Sequence, residues 1–238
     1  MSGPRGALSF LTIFGGAAMP DAGTLSWFPV VGAIVGAVVG TAWWAADKLW
    51  PPLVAAAVAV VADLLVTGLL HFDGLADSAD GVLPHMDRQR RLAVMREPTV
   101  GAFAVVVVCA VLVLRTSAFA TARPSVVAIA AIWSAARTVM AVAARAVPYA
   151  RGDETGLGSP MLGGSPIAVG VVGGLIAMLL GVAVPSPMRG LVAVSCAFFA
   201  GAGVVALGRR RLGGFTGDIL GAAGVIAETV GLLELAVK

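Results

Sequence analysis

Residues 53–81 read LVAAAVAVVADLLVTGLLHFDGLADSADG, an apolar run that passes directly into an acidic segment. The apolar part, 53–70, is long enough to cross a bilayer as a helix. The acidic part places Asp73, Asp77 and Asp80 at the spacing i, i+4, i+7, so they share one helix face. Like charges this close repel each other, and carboxylates together with substrate phosphates are the usual ligands of Mg²⁺. The stretch predicts a membrane helix followed by a magnesium site, with a solvated acidic helix end as the alternative.

The composition indicates an integral membrane protein. Hydrophobic residues make up 59% of the 238 residues and charged residues only 12%, whereas soluble domains average about 25% charged residues. The net charge of +3 is small and scattered, which argues against nucleic-acid binding. Cys109 and Cys196 lie apart in apolar runs, so neither a disulfide nor a cysteine metal site is expected. No repeat or second domain is apparent, so residues 1–238 are read as a single membrane-embedded domain.

The pattern of apolar runs predicts an all-α bundle of about seven transmembrane helices. Each run is long enough to span a bilayer, and small residues within the runs favour close helix packing. An earlier apolar segment, 7–19, is short for a span and is interpreted as interfacial, re-entrant or signal-like. The predicted spans are 28–46, 53–70, 100–122, 125–144, 167–184, 191–207 and 219–237.

Positive charges are distributed unevenly between the two sets of loops. The N-terminus and the loops after the second, fourth and sixth predicted spans contain most of the arginines. Cytoplasmic loops of membrane proteins carry an excess of Lys and Arg. We therefore expect a cell (inner) membrane protein whose three polar loops meet at the cytoplasmic face: 71–99, 148–166 and 208–218.

Four charged residues lie well inside the predicted spans, and a fifth, Glu234, lies near the end of the last span, where it could reach the interface. On insertion scales each charge costs about 2.5–3.5 kcal/mol at a helix centre, so a reason for it is needed. Arg137 and Glu228 either pair with each other or line a polar cavity that receives a charged substrate, and for Arg115 pairing is favoured. Asp63 would join the face of the other aspartates if one helix ran unbroken through 63–80.

Two further segments carry groups suited to phosphate chemistry. MREPTVG at 95–101 contains Arg96, whose guanidinium can bind phosphate with two hydrogen bonds. LGGFTGD at 212–218 combines a glycine-rich turn with the start of a helix, where backbone N–H groups form an anion site. This second segment predicts substrate contacts at Gly213, Gly214 and Thr216, with Asp218 as a further metal ligand.

These segments resemble those of the cobalamin 5′-phosphate synthases (adenosylcobinamide-GDP ribazoletransferases). The resemblance rests on HFDGLADSADG at 71–81, MREPTVG at 95–101 and LGGFTGD at 212–218. Shorter matches at 10–12, 27–29, 149–151 and 156–158 extend it along the chain. Glu97-Pro98 stands where the family typically has Asp-Ser, and Phe14-Gly15 where a proline-rich turn is usual.

The resemblance implies a Mg²⁺-dependent membrane enzyme of late cobalamin synthesis. Such an enzyme joins α-ribazole, or its 5′-phosphate, to adenosylcobinamide-GDP and releases GMP. By this resemblance Mg²⁺ is held by Asp73, Asp77 and Asp80, with Asp218, Asp63 and Glu97 as further candidates. Phosphates are contacted by Arg96, Arg151 and the 213–218 loop, with Arg137 and Glu228 as further substrate contacts. His71 or one aspartate accepts the proton of the attacking hydroxyl.

Two other functions fit parts of the pattern. The CDP-alcohol phosphotransferases also have an acidic signature, Asp-Gly-x-x-Ala followed by Arg, and this chain departs from it from Asp77 onwards. A transporter would concentrate its polar ligands near the middle of the membrane, often in broken helices. Most polar groups of this chain lie instead in loops on one side.

Overall fold

The computed structural model describes residues 3–16, 21–152 and 164–237, and within these ranges the chain forms ten α-helices. The described residues contain no β-strand, only an isolated bridge between Tyr149 and Phe215, which confirms the all-α prediction. Part of the 7–19 segment and the 156–158 match lie outside the described residues. The helices are α1 Gly3–Leu11, α2 Phe28–Asp47, α3 Pro52–Val66, α4 Leu70–Val82, α5 Arg88–Val94, α6 Ala102–Thr121, α7 Val126–Ala146, α8 Pro166–Val182, α9 Pro187–Leu212 and α10 Gly217–Leu235.

Each predicted span overlaps at least one helix. Fewer than seven of these helices are long and apolar enough to cross a bilayer by themselves. Among the described residues, four helices are long and apolar enough, or five if α3 and α4 together count as one bent span. The four are α2 with the short turn before it, α6, α7 and α9. Helix α8 is apolar but shorter, and α10 contains three acidic residues, at 218, 228 and 234. The structure is a polytopic helical membrane bundle, and the count of seven is not confirmed.

The second predicted span is broken by a sharp turn. Helix α3 ends at Val66 and α4 begins at Leu70, with an angle of 90° between them. The turn uses two successive left-handed residues, Gly68 with φ 59° and Leu69 with φ 61°, a conformation that glycine adopts easily and leucine only at a cost. The condition under which Asp63 would join the other aspartates, one helix running unbroken through 63–80, is therefore not met. Asp63 belongs to one helix and the other three aspartates to the next.

Helix α7 lies at the centre of the bundle, and α2 packs along it through a stripe of glycines. Most of α7 is buried. A Cβ atom added at Gly36 would stand 2.6 Å from the carbonyl oxygen of Ile129, and one at Gly32 would stand 2.7 Å from that of Trp133. Gly40 continues the stripe one turn later, against Val126. Glycines at this spacing let two membrane helices approach backbone to backbone.

Glycines also bring the acidic helix against the last helix. A Cβ atom at Gly74 of α4 would lie 2.9 Å from the carbonyl oxygen of Asp218, at the start of α10. One turn away, a Cβ atom at Gly221 would lie 3.3 Å from the backbone of His71. The close crossing of α4 and α10 places the 71–81 and 212–218 segments side by side, although they are far apart in the sequence.

We predict that Gly36→Leu destabilises the bundle, because its side chain would overlap the α7 backbone. Overpacking of this kind costs typically about 1–3 kcal/mol. Gly174→Leu in α8 is the matched control, since no atom lies within 4 Å of its added Cβ. The thermal unfolding midpoint of the detergent-solubilised protein should fall for Gly36→Leu only. An equal fall in both variants would contradict close packing of α2 on α7.

Candidate functional site

A cavity of about 450 Å³ opens where α4, α7 and α10 meet the N-terminal segment. Its lining combines aromatic residues, here called the aromatic wall, with charged residues, here called the charged side. The aromatic wall is formed by Phe10, Phe28, Tyr149 and Phe215, and the charged side by Asp73, Arg151 and Asp218. His71 and Gly74 of α4 also line it. A largely apolar cavity with a few converging polar groups is the usual form of a small-molecule site.

Three carboxylates influence one another at the charged side: Asp73 and Asp218, which line the cavity, and Asp77, which does not line it itself. Asp73 and Asp77 lie on α4, where Asp73 is exposed and Asp77 is half-buried. Asp218 lies in the first turn of α10. Burial, followed by the negative charges of Asp218 and Asp73, raises the pKa of Asp77 to about 6, and Arg151 partly offsets this. Arg151 also donates a hydrogen bond of 2.9 Å from Nη2 to Oδ2 of Asp218. This mutual repulsion is the electrostatic condition that a bound cation would relieve.

These carboxylates do not form a complete metal site by themselves. Within residues 3–16, 21–152 and 164–237, no three His, Cys, Asp or Glu side chains are grouped closely enough to hold an ion. Mg²⁺ is usually bound through one or two carboxylates, with water and substrate phosphates as the other ligands. Asp77 and Asp218 therefore fit a cation whose coordination a substrate phosphate would complete.

The structure gives Asp80 a different set of partners. Its Oδ2 accepts a hydrogen bond of 2.6 Å from the Gly101 N–H, and its Oδ1 accepts one of 3.0 Å from the Ala104 N–H. Asp80 thus caps the N-terminus of α6, where unpaired N–H groups and the helix dipole favour a carboxylate. Gly101 leaves the space for this contact, because a Cβ atom there would lie 2.6 Å from Oδ1. Both oxygens are engaged in supporting the fold.

The four charges inside the predicted spans form one buried network. Arg115 donates from Nη2 to Oδ2 of Asp63 at 2.7 Å and from Nη1 to Oε2 of Glu228 at 2.9 Å. Arg137 donates from Nη1 to the other oxygen of Glu228, and the Trp133 indole donates to Oδ1 of Asp63 at 2.9 Å. Of the two alternatives for Arg137 and Glu228, mutual pairing or a polar cavity for substrate, the structure shows the pairing. Asp63 is engaged on both oxygens, away from the cavity.

His71 connects this network with the cavity. Its side chain is 3% exposed, and its Nδ1 lies 3.5 Å from Nη2 of Arg137. Because a guanidinium can only donate, we assign Nδ1 as the acceptor and place the hydrogen on Nε2. Nε2 is buried and has no hydrogen-bond partner among the residues that the structure describes. In this tautomer His71 offers a donor, which suits an oxygen of a bound substrate better than the role of a base.

The predicted residues of the 95–101 segment lie outside the cavity lining. Arg96 and Glu97 are exposed in the turn after α5. The Glu97 carboxylate forms an ion pair of 2.7 Å with Arg90. The backbone carbonyl of Met95 lies 3.5 Å from Nη2 of Arg151, so this turn borders the charged side of the cavity.

The glycine-rich loop is held by contacts that shape the cavity wall. Gly213 ends α9 with φ 77°, and a Cβ atom at Gly214 would lie 2.2 Å from the carbonyl oxygen of Pro148. Thr216 caps α10 by accepting a hydrogen bond of 3.2 Å from the Ile219 N–H. These three residues form the turn that directs Phe215 into the cavity lining.

Sequence reasoning missed two parts of the site. In the sequence Arg88 is one of several loop arginines, yet it donates to the carbonyls of Leu212 at 2.6 Å and Ala150 at 2.8 Å and so connects two parts of the site. The N-terminal segment supplies the aromatic wall through Phe10, with Ser9 beside it. The match at 10–12 was a signal for the second part, but it did not identify what those residues contact.

Comparison with known proteins shows the family. The family model described as cobalamin-5-phosphate synthase matches residues 3–236. A protein named adenosylcobinamide-GDP ribazoletransferase from Chlorobium phaeovibrioides is 33% identical over 96% of this chain and 94% of its own length. Proteins of the same name from Ralstonia nicotianae and Escherichia coli O17:K52:H18 are each 35% identical, over 88% and 87% of this chain and 82% and 85% of their own lengths. No solved structure matches the chain significantly. The match covers every part of the bundle and the cavity described above, and the chain therefore belongs to the cobalamin-5-phosphate synthase family of transferases.

Proposed function

We propose that this protein joins α-ribazole, or its 5′-phosphate, to adenosylcobinamide-GDP and releases GMP in a Mg²⁺-dependent reaction. The family and the names of its relatives support this reaction over a CDP-alcohol phosphotransferase or a transporter. The observation that carries the proposal is one cavity whose lining combines an aromatic wall with carboxylates that are electrostatically coupled. An aromatic base and a phosphate group are the two parts that the reaction must bring together.

The size of the cavity favours the ribazole as its occupant. Small-molecule cavities measure about 300–1,000 Å³, and 450 Å³ suits a nucleoside. A corrin ring that carries a nucleotide is far larger, so most of it must lie outside. The ring centroids are 5.7 Å apart for Phe10 and Phe28, and 5.4 Å apart for Tyr149 and Phe215. These aromatic pairs provide an apolar surface for the flat benzimidazole of ribazole.

The charged side of the cavity is suited to the phosphorus centre. A ribazole hydroxyl oxygen forms a bond to the cobinamide-linked phosphorus, the bond from that phosphorus to the GMP oxygen breaks, and the hydroxyl proton passes to Asp73. Arg151 and the Nε2–H of His71 contact phosphate oxygens, and Arg96 stays a candidate contact for the larger substrate. Asp77 and Asp218 would hold Mg²⁺, which would supply positive charge near the pyrophosphate and the leaving GMP.

We further propose that the cavity faces the cytoplasm in the cell (inner) membrane, as the distribution of arginines suggests. Single cysteines at Gln89, Ser165 and Ser186, all exposed, should distinguish the two sides in a background lacking Cys109 and Cys196. In intact cells an impermeant thiol reagent should label the cysteine at 186 and spare those at 89 and 165 until the membrane is permeabilised. Labelling at 89 from outside would reverse the orientation.

We predict that Asp77→Asn and Asp218→Asn each raise the Mg²⁺ concentration that gives half-maximal activity. Removal of a residue that only hydrogen-bonds to a metal ligand lowers metal affinity or activity about 10- to 100-fold. Removal of a ligand itself should have a larger effect. Because both residues act on one ion, the double variant should cost less than the product of the single effects. Asp47→Asn, at the end of α2, is the control and should behave as the unmodified protein. Unchanged Mg²⁺ dependence in both single variants would exclude these ligands.

We predict that Phe10→Leu raises the KM for α-ribazole and leaves the KM for adenosylcobinamide-GDP unchanged. An aromatic contact contributes about 0.5–1.5 kcal/mol beyond buried area, which corresponds to roughly a 2- to 12-fold change in KM. Phe14→Leu is the matched control, because Phe14 is 68% exposed. Steady-state kinetics with each substrate varied in turn measures both constants. Equal changes in the two KM values would contradict a ribazole site at the aromatic wall.

A further inference from the structure

A second cavity, of about 540 Å³, lies on the outside of the bundle between α8 and α9, with α7 as its floor. Helices α8 and α9 touch near the turn that joins them, where a Cβ atom at Gly190 would stand only 2.0 Å from the carbonyl oxygen of Gly181. Farther from that turn, the cavity separates Gly170 of α8 from Phe198 and Ala202 of α9. The two helices therefore form a V-shaped groove that is closed at one end.

The groove is apolar except at its open end. Its floor is lined by Val139, Val142 and Ala143 of α7, and its wall by Val205 and Ala206 of α9. The hydroxyl of Thr138 on the floor donates to the carbonyl of Ser134 at 2.7 Å, so it is already satisfied. Of the described residues that line the groove, only Arg209 is charged.

The surroundings of the groove identify it as a surface in contact with lipid. Phe199 beside it is 80% exposed, and Leu175 and Leu179 on the outer face of α8 are 58% and 69% exposed. Helix α9 is apolar and long enough to cross a bilayer, so these side chains lie against acyl chains. Arg209 is in the last turn of α9, at the depth where a phospholipid carries its phosphate.

We propose that this groove binds an anionic phospholipid, with one acyl chain between α8 and α9 and the headgroup phosphate on Arg209. The guanidinium fork binds phosphate oxygens with two hydrogen bonds. Arg210 and Arg211 follow directly and are exposed, so the local potential is positive and favours a lipid with net negative charge. An apolar channel that ends at a single cation matches the chemical division of a phospholipid between chain and headgroup.

The groove lies next to the wall of the first cavity. Val147 lines the groove, and two residues later Tyr149 lines the first cavity. Backbone hydrogen bonds join the segment after α7 to the loop after α9, from the Phe215 N–H to the carbonyl of Pro148 at 2.9 Å and from the Ala150 N–H to the carbonyl of Phe215 at 2.8 Å. Through Val147 and Arg209 the groove thus borders the two segments that this bridge connects.

The test is native mass spectrometry of the purified full-length protein in detergent, titrated with phosphatidylglycerol or with phosphatidylcholine of identical chains. We expect one phosphatidylglycerol to be retained about fivefold more strongly, the effect of one arginine on an anionic lipid. Arg209→Gln should remove this preference. Arg210→Gln, the matched control one residue further on, should keep it. Ala206→Phe should reduce retention of both lipids, because its ring would occupy the groove.

Four results would overturn the proposal. If the two lipids are retained equally, or if neither is retained, the groove is not a selective lipid site. An equal loss of preference in Arg209→Gln and Arg210→Gln indicates a diffuse basic surface. If inorganic phosphate displaces the lipid, Arg209 is a site for a free anion. If the protein is a dimer that Ala206→Phe dissociates, the groove is occupied by a second copy of the chain. Thermal unfolding of each variant without added lipid, which should match the unmodified protein, confirms that the substituted side chains are surface residues.

Discussion

The bundle depends on one interaction, the buried network of two arginines and two carboxylates. Asp63 comes from α3, Arg115 from α6, Arg137 from α7 and Glu228 from α10. Removing one member of such a network costs about 3–5 kcal/mol, because its partner is left charged in an apolar interior. Each charge is tolerable only when the other three are in place. The network therefore fixes which helices are neighbours and at what height each one sits.

The position of the cavity follows from this constraint. Glu228 fixes α10 against α6 and α7, and the glycines at 74 and 221 then let α4 cross α10 closely. That crossing brings Asp73 and Asp77 to the same side as Asp218. Arg137, whose guanidinium binds Glu228, also faces Nδ1 of His71. The polar interior of the bundle thus orients a group in the cavity lining without contacting the substrate.

Much of this arrangement could be predicted from the sequence, and the limits have physical causes. Apolar run length located α2, α6 and α7 almost to the residue, since the bilayer requires such lengths. The turn at Gly68 and Leu69 could not be predicted, because a leucine in the left-handed conformation is held by its surroundings and leaves no local pattern. The capping role of Asp80 was missed because its partners are at Gly101 and Ala104, in another helix. Spacing shows which residues share a face, and it does not show what faces them.

The wide separation of the network's members along the chain has a consequence for biosynthesis. Asp63 precedes Arg115 by 52 residues, and Arg115 precedes Glu228 by 113. At about 5–20 residues per second, the ribosome needs roughly 6 to 23 seconds to make that second interval. From the synthesis of Arg137 until Glu228 follows 91 residues later, the nascent bundle contains both arginines but only the Asp63 carboxylate, and its interior carries an excess positive charge. The insertion of α10 ends this imbalance, so the arrival of that helix is also the step that neutralises the core.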